Sequence, residues 1–199
     1  MSIRIVDVND ANGNVAEADW LAAAETVHRQ LRPHLPQDYA AKMRRVFADG
    51  ARMSIRIVDI NDANGNVVEA DWLAAAETVH RQLRPHLPQD YAAKMRRVFA
   101  DGARMCVAVR DEKVVGVAVH RVHENTFDGV QMYVDDLVSD EAQRSSGVGR
   151  ALLGHLQGLA RTAGCAKFNL DSGTQRQQAH KFYFREGMVV TSFHFAKPL

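Results

Sequence analysis

A glycine-containing turn, RSSGVGR at residues 144–150, is the most chemically specific feature of this sequence. It stands between an apolar, strand-like run that ends near Val138 and a helical pattern that begins near Gly147. Such a turn at a helix start presents unpaired backbone N–H groups, adds the positive end of the helix dipole and lacks side chains that would block close approach. The pattern favours a pyrophosphate-binding turn, and a tight turn that only begins a helix is the alternative.

Two common phosphate-binding loops do not fit these residues. A Walker loop would end in Gly-Lys-Ser/Thr, which does not follow Gly149 in the sequence. The dinucleotide-binding fingerprint has a third glycine and follows the first strand of a β-α-β unit, and this turn has neither feature. If the turn binds a pyrophosphate, it does so in another class of protein.

A second block, AHKFYFREGM at residues 179–188, combines with the turn into a resemblance to a known family. Residues 144–149 resemble the Arg/Gln-x-x-Gly-x-Gly/Ala signature of the GNAT acyl-CoA-dependent N-acyltransferases, and residues 136–138 stand where the family's signature strand stands. In the second block an Ala is followed four residues on by Tyr183 and, four beyond that, by Gly187, which is similar to the family's later block.

The resemblance implies a role for each matching residue. Backbone N–H groups from Ser146 to Arg150 would hold the pyrophosphate of acetyl-CoA, the expected co-substrate, and the backbone around Leu137 and Val138 would align the pantetheine arm and polarise the thioester carbonyl. The Tyr183 phenol would protonate or hydrogen-bond the departing CoA thiolate, with a core aromatic as the alternative. The full set of expected CoA-binding residues is Leu137, Val138, Arg144, Ser145, Ser146, Gly147, Val148, Gly149 and Arg150.

The reaction of this family also needs a base, because an attacking amine is protonated near neutral pH and must lose a proton before it adds to the thioester. Along residues 130–138 successive side chains alternate faces, which predicts Asp135 and Asp136 on opposite faces unless a β-bulge intervenes. Asp136 is the preferred base by similarity to the family's strand carboxylate. The reserve candidates on the preceding strand are His120, His123 and Glu124.

The resemblance therefore predicts an N-acetyltransferase that moves an acetyl group from acetyl-CoA to a primary amine of a small molecule, by direct attack in a ternary complex. The alternative is a GNAT-like module that binds acyl-CoA, or serves assembly, without turnover. Arg176 stands where the family often has Asn. It could contact a CoA phosphate or an acidic substrate, or it could face solvent.

Hydrophobic periodicity predicts the elements that position these residues, in the order found in the GNAT family. A parallel crossover is expected over residues 130–171, because two parallel strands need a helix-length connection. The expected fold is α/β (α+β), with a mixed, mainly antiparallel GNAT-like sheet and helices on both faces. In chain order the pattern gives a strand at 54–60, helices from Val68 to Pro85 and from Pro88 to Gly102, strands at 105–111, 114–122 and 130–138, a helix to Ala163, a strand at 167–171, a helix at 175–186 and a closing strand at 189–195.

Composition limits the possible partners. The formal net charge of +1 leaves no basic footprint for nucleic acid or for an anionic membrane. No apolar run approaches the roughly 18–20 residues of a membrane-spanning helix, so a soluble, cytoplasmic protein is expected.

Cys106 and Cys165 lie in apolar, strand-like stretches and are expected to be buried thiols, not a disulfide or an activated nucleophile. No metal site is expected.

The first 52 residues of the chain are repeated in the next 52. Residues 1–52 and 53–104 are identical except at two positions, Val8 against Ile60 and Ala16 against Val68. Solenoid repeats drift in sequence and usually number three or more. This near-identity is instead typical of a recent tandem duplication, or of an artefact in how the sequence was put together. We expect residues 53–199 to form a complete GNAT-like domain and residues 1–52 to be a surplus strand-helix-helix copy.

The two copies compete for one place in that domain. The second copy joins the rest of the domain directly, whereas docking the first would loop out residues 53–104 at a closure cost of roughly 3–4 kcal/mol. The second copy is therefore expected to win. The displaced copy keeps apolar helix faces without a partner, and about 50 residues alone are marginally stable. We expect it to drive formation of a homo-oligomer.

Overall fold

The computed structural model describes residues 18–31, 38–44 and 55–198, and the chain divides into two compact units, Met1–Ser54 and Ile55–Leu199. In the first unit, α1 spans Ala18–Leu31 and a short helix α2 spans 39–44. The strand expected in the first copy lies outside the described residues. Helix α1 has the same residues as α3 of the second unit, Ala70–Leu83, so this segment is helical in both copies.

The second unit is built on a five-stranded sheet in the order β1-β2-β3-β4-β5. The first three neighbouring pairs are antiparallel and β4–β5 is parallel, with helix α5 as the crossover between them, which confirms the predicted mixed fold. The elements are β1 (Arg56–Asp59), α3 (Ala70–Leu83), α4 (Tyr91–Ala100), β2 (Arg104–Arg110), β3 (Lys113–Asn125), β4 (Gly129–Ser139), a 3-10 turn (Glu141–Gln143), α5 (Val148–Thr162), β5 (Lys167–Leu170) and α6 (Gln177–Arg185).

Helices cover both faces of the sheet, and each face has its own apolar core. On one face, α3 and α4 pack on strand residues such as Val117 and Val119. On the other, α5 packs on Cys106, Ala118 and Met132. Strand residues that alternate in the chain thus belong to different cores, because successive side chains point to opposite sides of a sheet. No helix in the described part of the chain is long and apolar enough to cross a membrane.

The two helices after β1 differ in detail from the sequence prediction. Helix α4 begins at Tyr91 and not at Pro88, because the Asp90 carboxylate caps it by accepting a hydrogen bond from the backbone N–H of Ala93 at 2.9 Å. The spacing in α3 predicts an inward stripe of Trp72, Ala76, Val79 and Leu83. The structure instead buries Leu73, Ala76, Val79 and His80, so the helix is rotated slightly and carries an imidazole into the interior.

The predicted closing strand at 189–195 is wrong. Residues 188–198 form no strand, and Val189, Val190, Phe193 and Phe195 are all at least 70% exposed. Alternating residues make a segment compatible with a strand, but a strand also needs the N–H and C=O groups of a neighbour, which local sequence does not supply. Cys165 likewise lies in the α5–β5 connection and not in a strand, and it is only half-buried.

Candidate active site

A cleft opens where β4 and β5 stop pairing. The two strands pair from Gln131 to Val134 of β4, and β5 ends at Leu170, whereas β4 continues to Ser139. The outer edge of β4 beyond Val134 therefore has no neighbouring strand among the described residues, and its backbone borders the cleft. The walls include Arg84, Asp136, Leu137, Arg176 and Tyr183.

The glycine turn follows directly from this open edge. Gly147 is the N-cap of α5 with φ +88°, a left-handed conformation that favours glycine. Among the described residues, the backbone N–H groups of Gly147, Val148, Gly149 and Arg150 meet no hydrogen-bond acceptor. Four unpaired donors at the positive end of a 15-residue helix form a site suited to an anion.

Close packing fixes the start of α5 against its surroundings. A Cβ atom built on Gly149 would lie 3.3 Å from the Phe182 ring of α6, and one built on Gly116 of β3 would lie 2.5 Å from the Val148 side chain. Close packing thus requires glycine at Gly116, whereas a Cβ at Gly149 would need the Phe182 ring to move by a few tenths of an ångström. Only Gly149 was singled out from the sequence. A glycine inside a strand pattern, such as Gly116, is a signal that could have been used.

Arg110, at the end of β2, holds the glycine turn in place through two hydrogen bonds. It was not singled out from the sequence. Its guanidinium donates from Nη1 to the Gln143 side-chain oxygen at 3.0 Å and from Nη2 to the Ser146 carbonyl at 2.9 Å. The two arginines of the turn itself make ion pairs, Arg144 with Glu141 and Arg150 with Glu186. The turn is therefore tied to β2 and to the end of α6.

A β-bulge in β4 places both carboxylates on one face. Val119 of β3 pairs with Asp136 and the next residue, His120, pairs with Val134, so Asp135 is the extra residue. Asp136 reaches His80 of α3, and Asp135 reaches Arg121 of β3, which is two residues beyond Val119. Simple alternation, which predicts opposite faces, fails here because a bulge inserts one residue into the strand.

Asp136 is the centre of a partly buried hydrogen-bond chain. Its Oδ1 accepts from Arg84 Nε at 2.6 Å, and its Oδ2 lies 3.0 Å from His80 Nε2. His80 Nδ1 lies 2.9 Å from the Tyr91 hydroxyl. A carboxylate only accepts, so Nε2 carries the proton, and in the neutral ring Nδ1 accepts from Tyr91. Burial raises the pKa of Tyr91, which keeps the phenol protonated for this bond.

His80 was not among the expected site residues. It falls within the apolar spacing of α3, four residues after Ala76, and only 1% of it is exposed. A histidine inside an apolar helix stripe must find polar partners when it is buried, which is a usable signal. Its partner on β4 is 56 residues away, so the sequence does not identify that partner.

Tyr183 lies in the same cleft as Asp136 and Leu137. Burial raises the pKa of its phenol, and the nearby Arg176 guanidinium opposes that rise. Arg176 is the N-cap residue of α6 and lines the cleft beside Tyr183. The hydroxyl is therefore a neutral donor near neutral pH, in a position between the open edge of β4 and the start of α6.

The three reserve candidates for the base, on β3, do not line the clefts described here. His120 shares the parity of Ala118 and so lies on the α5 face, away from the cleft. His123 Nε2 lies 3.1 Å from the side chain of Gln131, and Glu124 is exposed near the far end of β3. The structure does not bring these three side chains to Asp136 and Tyr183.

A second, wider cleft of about 820 Å³ adjoins the first and shares Arg84, Asp136 and Arg176 with it. Its walls come from the end of α3, the α3–α4 connection, α4 and the bulged part of β4. This volume falls within the usual range for small-molecule sites. Its arginine and lysine side chains are Arg84, Lys94, Arg97, Arg121 and Arg176.

Comparison with known proteins identifies the family. The acetyltransferase (GNAT) family model matches residues 68–188, and the chain belongs to that family. The chain is similar to an uncharacterized N-acetyltransferase, YhdJ, of Bacillus subtilis, with 39% identity over 72 residues, which are 36% of this chain and 51% of the relative. It is also similar to an aminoalkylphosphonate N-acetyltransferase of Salmonella typhimurium, with 33% identity over 98 residues, 47% of this chain and 61% of the relative. The chain thus spans about half to three fifths of the length of these two curated relatives.

Solved structures show the same fold. An aminoglycoside N-acetyltransferase, AAC(6')-Iy, crystallised in complex with CoA, superposes with a TM-score of 0.63 at 18% identity, covering 73% of this chain and 95% of that one. At this identity the likeness concerns the fold alone.

Proposed function

We propose that this chain is an N-acetyltransferase that moves an acetyl group from acetyl-CoA to a primary amine of a small molecule. The observation that carries the proposal is the cleft itself, in which the open edge of β4, the Tyr183 phenol and the Asp136 carboxylate come together. The membership of the family and the N-acetyltransferase names of the relatives support it.

Acetyl-CoA would bind through main-chain atoms. The unpaired N–H groups from Gly147 to Arg150 would hold the pyrophosphate, and Arg144, Ser145 and Ser146 would border it. The Ser146 N–H has only a long contact, 3.4 Å, to the Gln143 carbonyl, so it is available as a further donor. The open backbone at Leu137 and Val138 would align the pantetheine arm and polarise the thioester carbonyl.

The acceptor amine would enter from the wider cleft and attack the thioester carbon directly, in a ternary complex. Asp136 would take the proton that the amine loses, and the His80 and Arg84 contacts would hold its carboxylate in place. As the new C–N bond forms and the C–S bond breaks, the Tyr183 hydroxyl would donate a proton to the departing thiolate. The products are the acetylated amine and CoA thiol.

The charges of the wider cleft favour an amine that also carries an anionic group. Arg84 and Arg121 pair with Asp136 and Asp135, whereas Lys94, Arg97 and Arg176 make no ion pair with another described residue. A phosphonate or carboxylate on the substrate would complement these cations. The aminoalkylphosphonate relative supports this substrate class.

A substrate panel tests the proposal. The purified chain is given acetyl-CoA with aminoalkylphosphonates, amino acids, polyamines, aminoglycosides or peptide N-termini, and release of CoA thiol is followed. We expect turnover with at least one amine and the highest kcat/KM among the anionic ones. Acetyl-CoA binding without thiol release on any amine would favour the non-catalytic module. Absence of acetyl-CoA binding would overturn both readings.

We further propose that the surplus copy, residues 1–52, makes the chain self-associate. Its segment Ala18–Leu31 has the same residues as α3, whose apolar face is buried in the second unit. Light scattering on the full chain and on a 53–199 truncation tests this proposal. We expect the full chain to form the larger species, and two compact monomers would contradict the proposal.

A further inference from the structure

Three side chains with metal-binding atoms lie together on the α5 face of the sheet, at the β1–β2 edge. They are Asp59 of β1, Cys106 of β2 and His155 of α5. None of them lines the clefts described above. The mechanism proposed for the active site uses none of them, so their arrangement needs a separate explanation.

Sheet register brings Asp59 and Cys106 together, because the two residues pair directly across β1 and β2. Cys106 in turn pairs with Ala118 of β3, and His120, two residues beyond Ala118, lies on the same face of the sheet. His155 approaches from α5, with Nε2 3.2 Å from Asp59 Oδ1. One ligand atom from each of Asp59, Cys106 and His155 lies within 4.8 Å of the other two.

His120 provides a second, independent observation. Only 4% of the residue is exposed, and its buried Nδ1 has no hydrogen-bond partner among the described residues. An unpaired buried ring nitrogen is costly, and His120, which is not one of the three close ligands, would gain a partner in a water molecule held by a bound ion. Burial lowers the pKa of His120 to about 4, so the ring is neutral and adds no positive charge beside such an ion.

A nearby arginine is bonded elsewhere, and one side of the cluster is exposed. Arg104 is the cross-strand partner of His120, but its guanidinium donates to the carbonyl oxygens of Ala63 and Ala103. Asp59 and His155 have side chains 55% and 26% exposed, whereas Cys106 is buried. An ion can therefore enter from the Asp59 side and meet the buried thiol.

We propose that Asp59, Cys106 and His155 form a binding site for a zinc ion. Thiolate, imidazole and carboxylate are the protein ligands that zinc takes, and a water molecule would fill the fourth tetrahedral position. The Cys106 thiol would give up its proton on binding. The ion would join two strands to α5, so its expected role is to stabilise the second unit.

Zinc titration of the full chain tests this site. Chelator-treated protein is titrated with Zn²⁺ in a calorimeter and with Co²⁺ in a spectrophotometer. We expect one saturable site for each chain, a higher Tm when Zn²⁺ is present, and a thiolate-to-cobalt charge-transfer band. No saturable binding, or a cobalt complex that lacks this band, would overturn the proposal.

Matched variants identify the ligands. Cys106→Ala should weaken zinc binding by at least about 100-fold and remove the charge-transfer band, whereas Cys165→Ala, which changes the other cysteine, should do neither. His155→Ala changes a partly exposed ligand and should weaken binding even if Cys106→Ala folds poorly. Equal zinc affinity in the wild type and in His155→Ala, or loss of the band in Cys165→Ala, would refute the assignment.

Discussion

The cleft has a main-chain half and a side-chain half that are assembled differently. The main-chain half runs from Leu137 to Arg150, and the side-chain half consists of His80, Arg84, Asp136 and Tyr183. The main-chain half is one continuous segment whose unpaired N–H groups follow from a strand end, a glycine turn and a helix start. The side-chain half gathers residues from α3, β4 and α6. A binding surface made of backbone is thus a local property of the sequence, whereas the acid-base groups depend on tertiary packing.

This difference predicts separable effects of mutation. Changes in the side-chain half should lower kcat with little effect on acetyl-CoA affinity, because in the proposed mechanism Asp136 and Tyr183 transfer protons and the other two side chains hold Asp136 in place. Changes in the main-chain half should weaken acetyl-CoA binding with less effect on the rate at saturation. Three variants test this separation, from the largest expected effect to the smallest.

Tyr183→Phe should have the largest effect. It removes the proposed proton donor for the thiolate and keeps the ring, so we expect kcat to fall by about 10²–10⁴-fold, with acetyl-CoA Kd nearly unchanged. Thiol-release kinetics on the best amine of the panel give kcat, and calorimetry gives Kd. Tyr133→Phe, which removes a phenol on β4 outside the cleft walls, is the control and should keep its rate. A Tyr183→Phe enzyme with full kcat would show that the acid is another group.

The main-chain half could be predicted because its evidence is local. Gly147 and Gly149 stand between a strand pattern and a helical pattern, where a turn and a helix start are expected, and the structure gives Gly147 a left-handed conformation. The mixed sheet and its crossover could be predicted for a similar reason, since periodicity is read within each element. The failed strand at 189–195 shows the limit of that approach, because pairing needs a partner that periodicity does not reveal.

The side-chain half could be predicted only in part. Tyr183 and Asp136 were expected from the resemblance, but the bulge at Asp135 and the chain from Tyr91 through His80 were not. A bulge depends on how β3 and β4 fit together, and His80 meets Asp136 only after α3 has packed on the sheet. Arg110 was missed because its contacts, Gln143 and Ser146, lie 33 and 36 residues further along the chain.

Asp136→Asn should have the second largest effect. The amide keeps the size of the side chain but is a poor base, so kcat should fall by about 100-fold. Asp135→Asn is a matched control, because the bulge places Asp135 on the same face, where it pairs with Arg121 at 2.8 Å. We expect this control to stay within about threefold of the wild type, since Asp135 takes no proton in the proposed mechanism. If both variants lose the same activity, the loss reflects the electrostatics of the bulge, and Asp136 has no separate role as base.

Gly149→Val should have the smallest effect, and it should fall on binding. A Cβ at this position already meets the Phe182 ring at 3.3 Å, and the two methyl groups of valine would crowd the turn where the pyrophosphate is expected. Acetyl-CoA Kd should rise about tenfold, equivalent to about 1.4 kcal/mol, while kcat at saturating acetyl-CoA stays near the wild-type value. Gly154→Val, on the same helix, is the matched control because a Cβ there has no heavy atom within 4 Å, and its Kd should not change. If Gly149→Val lowers kcat and leaves Kd unchanged, the turn takes part in the chemical step, and the division between a binding half and a catalytic half is wrong.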